Sequence, residues 1–61
     1  MNATMEYSHT YGAHTFAKMT VDGKPEFLDV YYRASGTTYK TTADNDKQRR
    51  RKIIKAFNEL F

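Results

Sequence analysis

The 61-residue chain contains no cysteine, one proline and three glycines. Without cysteine there is no disulfide to staple the fold and no thiolate to hold a metal, which fits a reducing compartment. No apolar run approaches the ~18 residues a membrane-spanning helix needs. The opening Met1-Asn2-Ala3-Thr4 has neither the basic nor the apolar stretch of a signal peptide, so the expectation is a cytoplasmic protein with no membrane partner. On that expectation the glycosylation-like triplet Asn2-Ala3-Thr4 is a chance match. A chain of this length forms a single domain, 1–61, and buries only about 60% of the surface its unfolded form exposes.

Site chemistry is equally scarce. The histidines are His9 and His14, and the serines are Ser8 and Ser35. A His-x4-His spacing in an extended segment, with no cysteine, is not a zinc signature. No glycine-rich loop offers to cradle phosphate, and no carboxylate pair has an evident pocket around it. The chain is therefore expected to be a binding protein and not an enzyme, with no catalytic residue, metal or cofactor.

What the sequence does have is pattern. Residues 4–21 alternate, with Met5, Tyr7, His9, Tyr11, Ala13, Thr15, Ala17, Met19 and Val21 on one parity, which predicts extended structure with one side toward a core. Gly12 marks a bulge, a bend or a turn. Residues 13–21 read as a strand, and residues 1–12 as an edge strand or a loose arm. Asp22-Gly23 is a hairpin turn signal, since both central positions of a type I′ turn need positive φ. Alternation resumes over 26–33, placing Leu28, Val30 and Tyr32 on one face and Phe27, Asp29, Tyr31 and Arg33 on the other. Ser35-Gly36 supplies a second turn, and the Thr-rich 37–42 suits a short strand.

Helix signals follow. Asp44 is a candidate N-cap, with Asp46 adding negative charge near the helix start. Ile53, Ile54, Phe57, Leu60 and Phe61 share one helical face, with Gln48, Arg51, Lys52, Lys55 and Glu59 roughly opposite. The predicted fold is α+β: a small antiparallel sheet of three or four strands (13–42) and one C-terminal amphipathic helix (44–61), in the order β-β-β-α. The helix is expected to cover Leu28, Val30 and Tyr32.

Charge is concentrated. Lys47, Arg49, Arg50, Arg51, Lys52 and Lys55 fall in nine residues that contain no acid, leaving four bases against seven acids in the rest of the chain. The like charges at Lys47/Arg51 and Arg51/Lys55 each cost a few tenths of a kcal/mol in an isolated helix. Cations in the N-terminal half also oppose the macrodipole. Lys55–Glu59 is the one obvious compensating pair. Arg50 lies close to the Ile53/Phe57 face and is expected to pair with Asp46 or to reach over the sheet edge.

These features point to contact with nucleic acid, DNA or RNA. Lys47, Arg49, Arg51, Lys52 and Lys55 would neutralise phosphates, assisted from the sheet by Lys40 and Arg33. One helix covers one sheet face, so Phe16, Phe27 and Tyr31 are expected to form an exposed aromatic face. Such a face suits base stacking, a protein interface or a homodimer. The alternative reading is a protein-binding module or inhibitor that docks on an acidic or aromatic-receptive surface of a partner protein.

Asp22-Gly23-Lys24, Tyr31-Tyr32-Arg33 and the glycine-containing turn that follows resemble, in arrangement, the arm-site-binding domain of phage-type tyrosine integrases. The order of elements over about 20–55 also resembles the latter part of double-stranded-RNA-binding domains, without their lysine-rich motif at the start of the last helix. Both likenesses concern element order, which does not carry function, and no family is assigned.

Overall fold

A computed structural model describes residues 2–61. Four strands, β1 (Ala3–Tyr11), β2 (His14–Val21), β3 (Lys24–Arg33) and β4 (Gly36–Thr41), form an antiparallel meander in the order β1-β2-β3-β4. One helix, α1 (Lys47–Leu60), packs on one face of it. Of the residues expected to form an edge strand or a loose arm, Ala3–Tyr11 are the edge strand β1, and Met1 lies outside the described residues. Asp22 (φ 52°) and Gly23 (φ 82°) both have positive φ, as the predicted two-residue hairpin requires.

Alternation drives the burial of β2 and β3. Thr15, Ala17, Met19 and Val21 are buried on β2, and Glu26, Leu28 and Val30 on β3. From the helix, Ile53, Ala56 and Phe57 close this core, with Ala3, Met5, Tyr39, Ala43 and Ile54 at its edge. Full burial of side chains such as Ile53 or Phe57 contributes about 1.5–3 kcal/mol each.

The structure corrects the sequence reading in four places. The single parity expected for residues 5–21 breaks at Glu6. Met5 pairs with Met19 but Tyr7 pairs with Lys18, so Glu6 is a bulge. Directly paired residues share a face, so Tyr7, His9 and Tyr11 move to the side away from the helix. Gly12 takes the turn role between β1 and β2.

Second, the helix cap is Asp46, whose side chain accepts the Arg49 N–H at 3.2 Å. Asp44 instead accepts from the Thr41 backbone N–H (2.9 Å) and hydroxyl (3.0 Å), closing the turn that leaves β4. The helix thus starts at Lys47 and not at Asp44.

Third, the helix covers Leu28 and Val30 but not Tyr32. That ring stays 39% exposed, with its hydroxyl taking a hydrogen bond from Thr15 at 3.2 Å. Fourth, the apolar helix face is narrower than expected. Leu60 and Phe61 are exposed, Phe61 stacking on Phe57 at 4.7 Å between centroids, and Ala56 joins the buried seam in their place.

Candidate nucleic-acid interface

The buried seam of α1 runs through Ile53, Ala56 and Phe57. Arg49 lies one turn before Ile53 and two before Phe57, on the same line, so its side chain enters between helix and sheet. Its Nε donates to Glu26 Oε2 at 2.6 Å, a terminal nitrogen donates to the Val21 carbonyl, and Nη1 lies 3.7 Å from Asp22 Oδ2. The Arg49 side chain is 17% exposed and that of Glu26 10%. Glu26 also accepts from the Thr42 hydroxyl at 2.7 Å. Arg49, grouped on sequence with the ligand-facing bases, is thus turned into the protein body.

Arg50 reaches over the sheet edge. Its Nε donates to Asp44 at 3.1 Å and a terminal nitrogen donates to the Tyr39 carbonyl at 2.9 Å. The partner is Asp44 and not the expected Asp46, because Asp46 is occupied as the cap.

The remaining helix bases look outward. Lys47, Arg51 and Lys55 are exposed and make no side-chain hydrogen bond or ion pair among the described residues. They follow one another at i, i+4 and i+8 and so form a stripe along the helix of about 12 Å at 1.5 Å per residue. Lys52 stands beside it, 57% exposed and 3.5 Å from Asp22. The expected Lys55–Glu59 pair does not form. A shallow groove of about 480 Å³ flanks the stripe, lined by Lys47, Arg50, Arg51, Ile54, Lys55, Asn58 and Glu59.

The acids of the body are engaged elsewhere. Asp22, Glu26 and Asp44 hold helix bases, Glu6 faces Lys18 (3.6 Å) and Asp29 binds His14 (2.8 Å). The hydrogen bond from the Asn2 backbone N–H, with Lys52 and Arg49 alongside, holds the Asp22 carboxyl below its ordinary value. The Thr41 backbone N–H does the same for Asp44, helped by the Thr41 hydroxyl and Arg50. Both are therefore anionic at neutral pH; Asp44 holds Arg50, and Asp22 lies beside Arg49 and the exposed Lys52, neither of them beside the stripe.

Lys40 and Arg33 are not brought to this stripe. Lys40 pairs across from Asp29, and Arg33 lies over the Tyr31 ring at 5.4 Å, both on the opposite face of the sheet. That face carries the expected Phe16, Phe27 and Tyr31. Phe16 and Tyr31 are half-buried by their neighbours, and Phe27 is 39% exposed. The bulge adds Tyr7, His9 and Tyr11, which sequence reasoning placed elsewhere. The rings contact one another: Phe16 with Phe27 at 5.7 Å, Tyr7 with Phe16 at 6.2 Å, and His14 with Tyr31 at 4.6 Å and nearly parallel. Among the described residues no group of three or more His, Cys, Asp or Glu is arranged to hold a metal ion, and no helix is long and apolar enough to cross a membrane. Comparison with known protein families, with curated proteins and with solved structures finds no match to this chain.

Proposed function

We propose that this chain is a small non-enzymatic protein that binds nucleic acid by presenting Lys47, Arg51 and Lys55, with Lys52 beside them, to the phosphate backbone. The observation that carries this reading is the sorting of the helix bases. Arg49 and Arg50 are matched by Glu26, Asp22, Asp44 and backbone carbonyls, whereas Lys47, Arg51 and Lys55 form no ion pair among the described residues, although Glu59 lines the same groove. An outward helix face needed only for solubility tolerates interleaved acids. A run of like charges at i, i+4, near the positive end of the macrodipole, lowers helix stability. A polyanion lying along the stripe would offset that repulsion.

Contacts of this kind position a backbone without reading its bases. Binding should therefore be strongly salt dependent and only modestly selective in sequence. Neutralising three to four phosphates of duplex DNA gives a slope of log K against log salt of about −2.7 to −3.6. The test is direct binding of the purified protein to labelled single-stranded and duplex DNA and RNA at low and at physiological salt. The expected result is binding that persists at physiological salt and falls about equally for all sequences when Arg51 or Lys55 becomes Ala. Sequence-selective loss would contradict the phosphate assignment. Absence of binding at physiological salt, with retention of an acidic protein, would move the stripe to a protein partner.

A further inference from the structure

We propose that the sheet face left uncovered by the helix is the surface through which two copies of this chain pack, sheet against sheet. Three observations lead there.

The first concerns what the rings present. Tyr7, Phe16 and Phe27 run as a chain of neighbouring rings across three strands, and His14 lies against Tyr31, whose surroundings include the Arg33 guanidinium. The Phe27 and Tyr31 rings also have cations over them, Lys18 at 5.8 Å and Arg33 at 5.4 Å from the centroids. Rings engaged with their neighbours in this way suit packing against further side chains, whereas a base needs an open ring face to stack on.

The second is charge. Glu6 and Asp29 stand on this face against Lys18, Lys40 and Arg33, so it is close to neutral, in contrast to the helix stripe. The distribution is also polar along the sheet. Glu6 and the rings of β1 lie at one side, and Lys40 and Arg33 at the other. A two-fold axis along the strands lays β1 of one copy over β4 of its partner. That brings the acidic, ring-rich side against the cationic side twice, as an isologous interface requires.

The third is area. Four strands at about 4.8 Å spacing and about eight residues at 3.4 Å give roughly 500 Å² of flat face. Two copies supply about 1,000 Å² before side-chain relief is added, which is the size a specific interface needs. Sheets meeting this way pack about 10 Å apart. Both helices remain on the outside, so this contact does not compete with the basic stripe.

The test is sedimentation equilibrium of the full chain across micromolar to millimolar concentrations. The expected species has twice the chain mass of 7.1 kDa. Phe27→Lys should weaken association at least about 30-fold, the loss typical of a central interface residue. Tyr11→Lys, at a ring 70% exposed and so harmless to the fold, should weaken it as well, while Leu60→Lys on the exposed helix end should leave it unchanged. Far-UV circular dichroism checks that each variant is folded. A 7.1 kDa species at every concentration overturns the proposal. So does a dimer indifferent to both sheet substitutions, or a monomer that takes up single-stranded nucleic acid in a Phe27-dependent manner.

Discussion

Removing either member of the Glu26–Arg49 pair is expected to destabilise this protein more than removing any other charged side chain. Glu26 sits on the helix-facing side of β3 with its side chain 10% exposed, and Arg49 opposite it is 17% exposed. Breaking a buried pair by deleting one partner costs about 3–5 kcal/mol, because a charge is left without compensation. Here the remaining charge retains some help. After Glu26→Ala, Arg49 keeps the Val21 carbonyl and Asp22 at 3.7 Å. After Arg49→Met, Glu26 keeps the Thr42 hydroxyl. That lowers the figure to about 2–3 kcal/mol for each single change. In a domain of this size 1 kcal/mol moves Tm by about 4–8 °C, so a fall of roughly 10–20 °C is expected. The double variant Glu26→Leu/Arg49→Met replaces the pair by apolar side chains and should recover to within about 1 kcal/mol of the parent. Thermal and urea unfolding followed by circular dichroism would measure all three. Single variants within about 0.5 kcal/mol of the parent, or losses that simply add in the double variant, would refute the buried-pair argument.

Other expectations follow from the same structure. Phe57→Ala removes the largest ring from the helix–sheet seam and should cost about 3–5 kcal/mol in urea unfolding. Gly23→Ala places a Cβ at φ 82° in the β2–β3 turn and should lower Tm by several degrees, a loss of about 1 kcal/mol. Asp44 and Asp22 titrate below the ordinary aspartate value of 3.8 in the folded protein. Their contribution is thus complete above that pH and disappears as pH falls through the lowered folded-state values. Stability should be flat near neutrality and decline below about pH 4, and Asp44→Asn should shrink the decline.

Much of the fold was legible in the sequence because period two and period 3.6 leave different marks. The alternation of 13–21 and 26–33, joined by Asp22-Gly23, defines the central hairpin, and the Ile53/Phe57 spacing defines the helix. The Glu6 bulge was not legible. Met5, Tyr7, His9 and Tyr11 continue an unbroken alternation, and inserting one residue in the pairing leaves the pattern unchanged while reversing the face. The cue that remains is steric: Tyr7, His9 and Tyr11 cannot fit beside Ala17 and Met19 under a helix of four turns. Within the candidate site, the outward stripe Lys47, Arg51 and Lys55 is where helical spacing puts it. Arg49 was misplaced, although two signals were available. Glu26 shares the parity of Leu28 and Val30, so a buried acid needed a buried base. Arg49 precedes Ile53 by four residues and Phe57 by eight, on the line that enters the core. The choice of Asp46 over Asp44 as cap depended on the turn after Thr41, which composition does not define.

The most direct test of the account is a salt titration of duplex binding by three proteins: the parent, the triple variant Lys47→Ala/Arg51→Ala/Lys55→Ala, and Arg49→Met at a temperature where it is folded. The parent slope should be about −2.7 to −3.6, that of the triple variant shallower by about 2.7, and that of Arg49→Met unchanged. A parent slope that the triple substitution leaves intact, or one that Arg49→Met alone reduces, would contradict the division between outward, ligand-facing bases and inward, fold-holding ones.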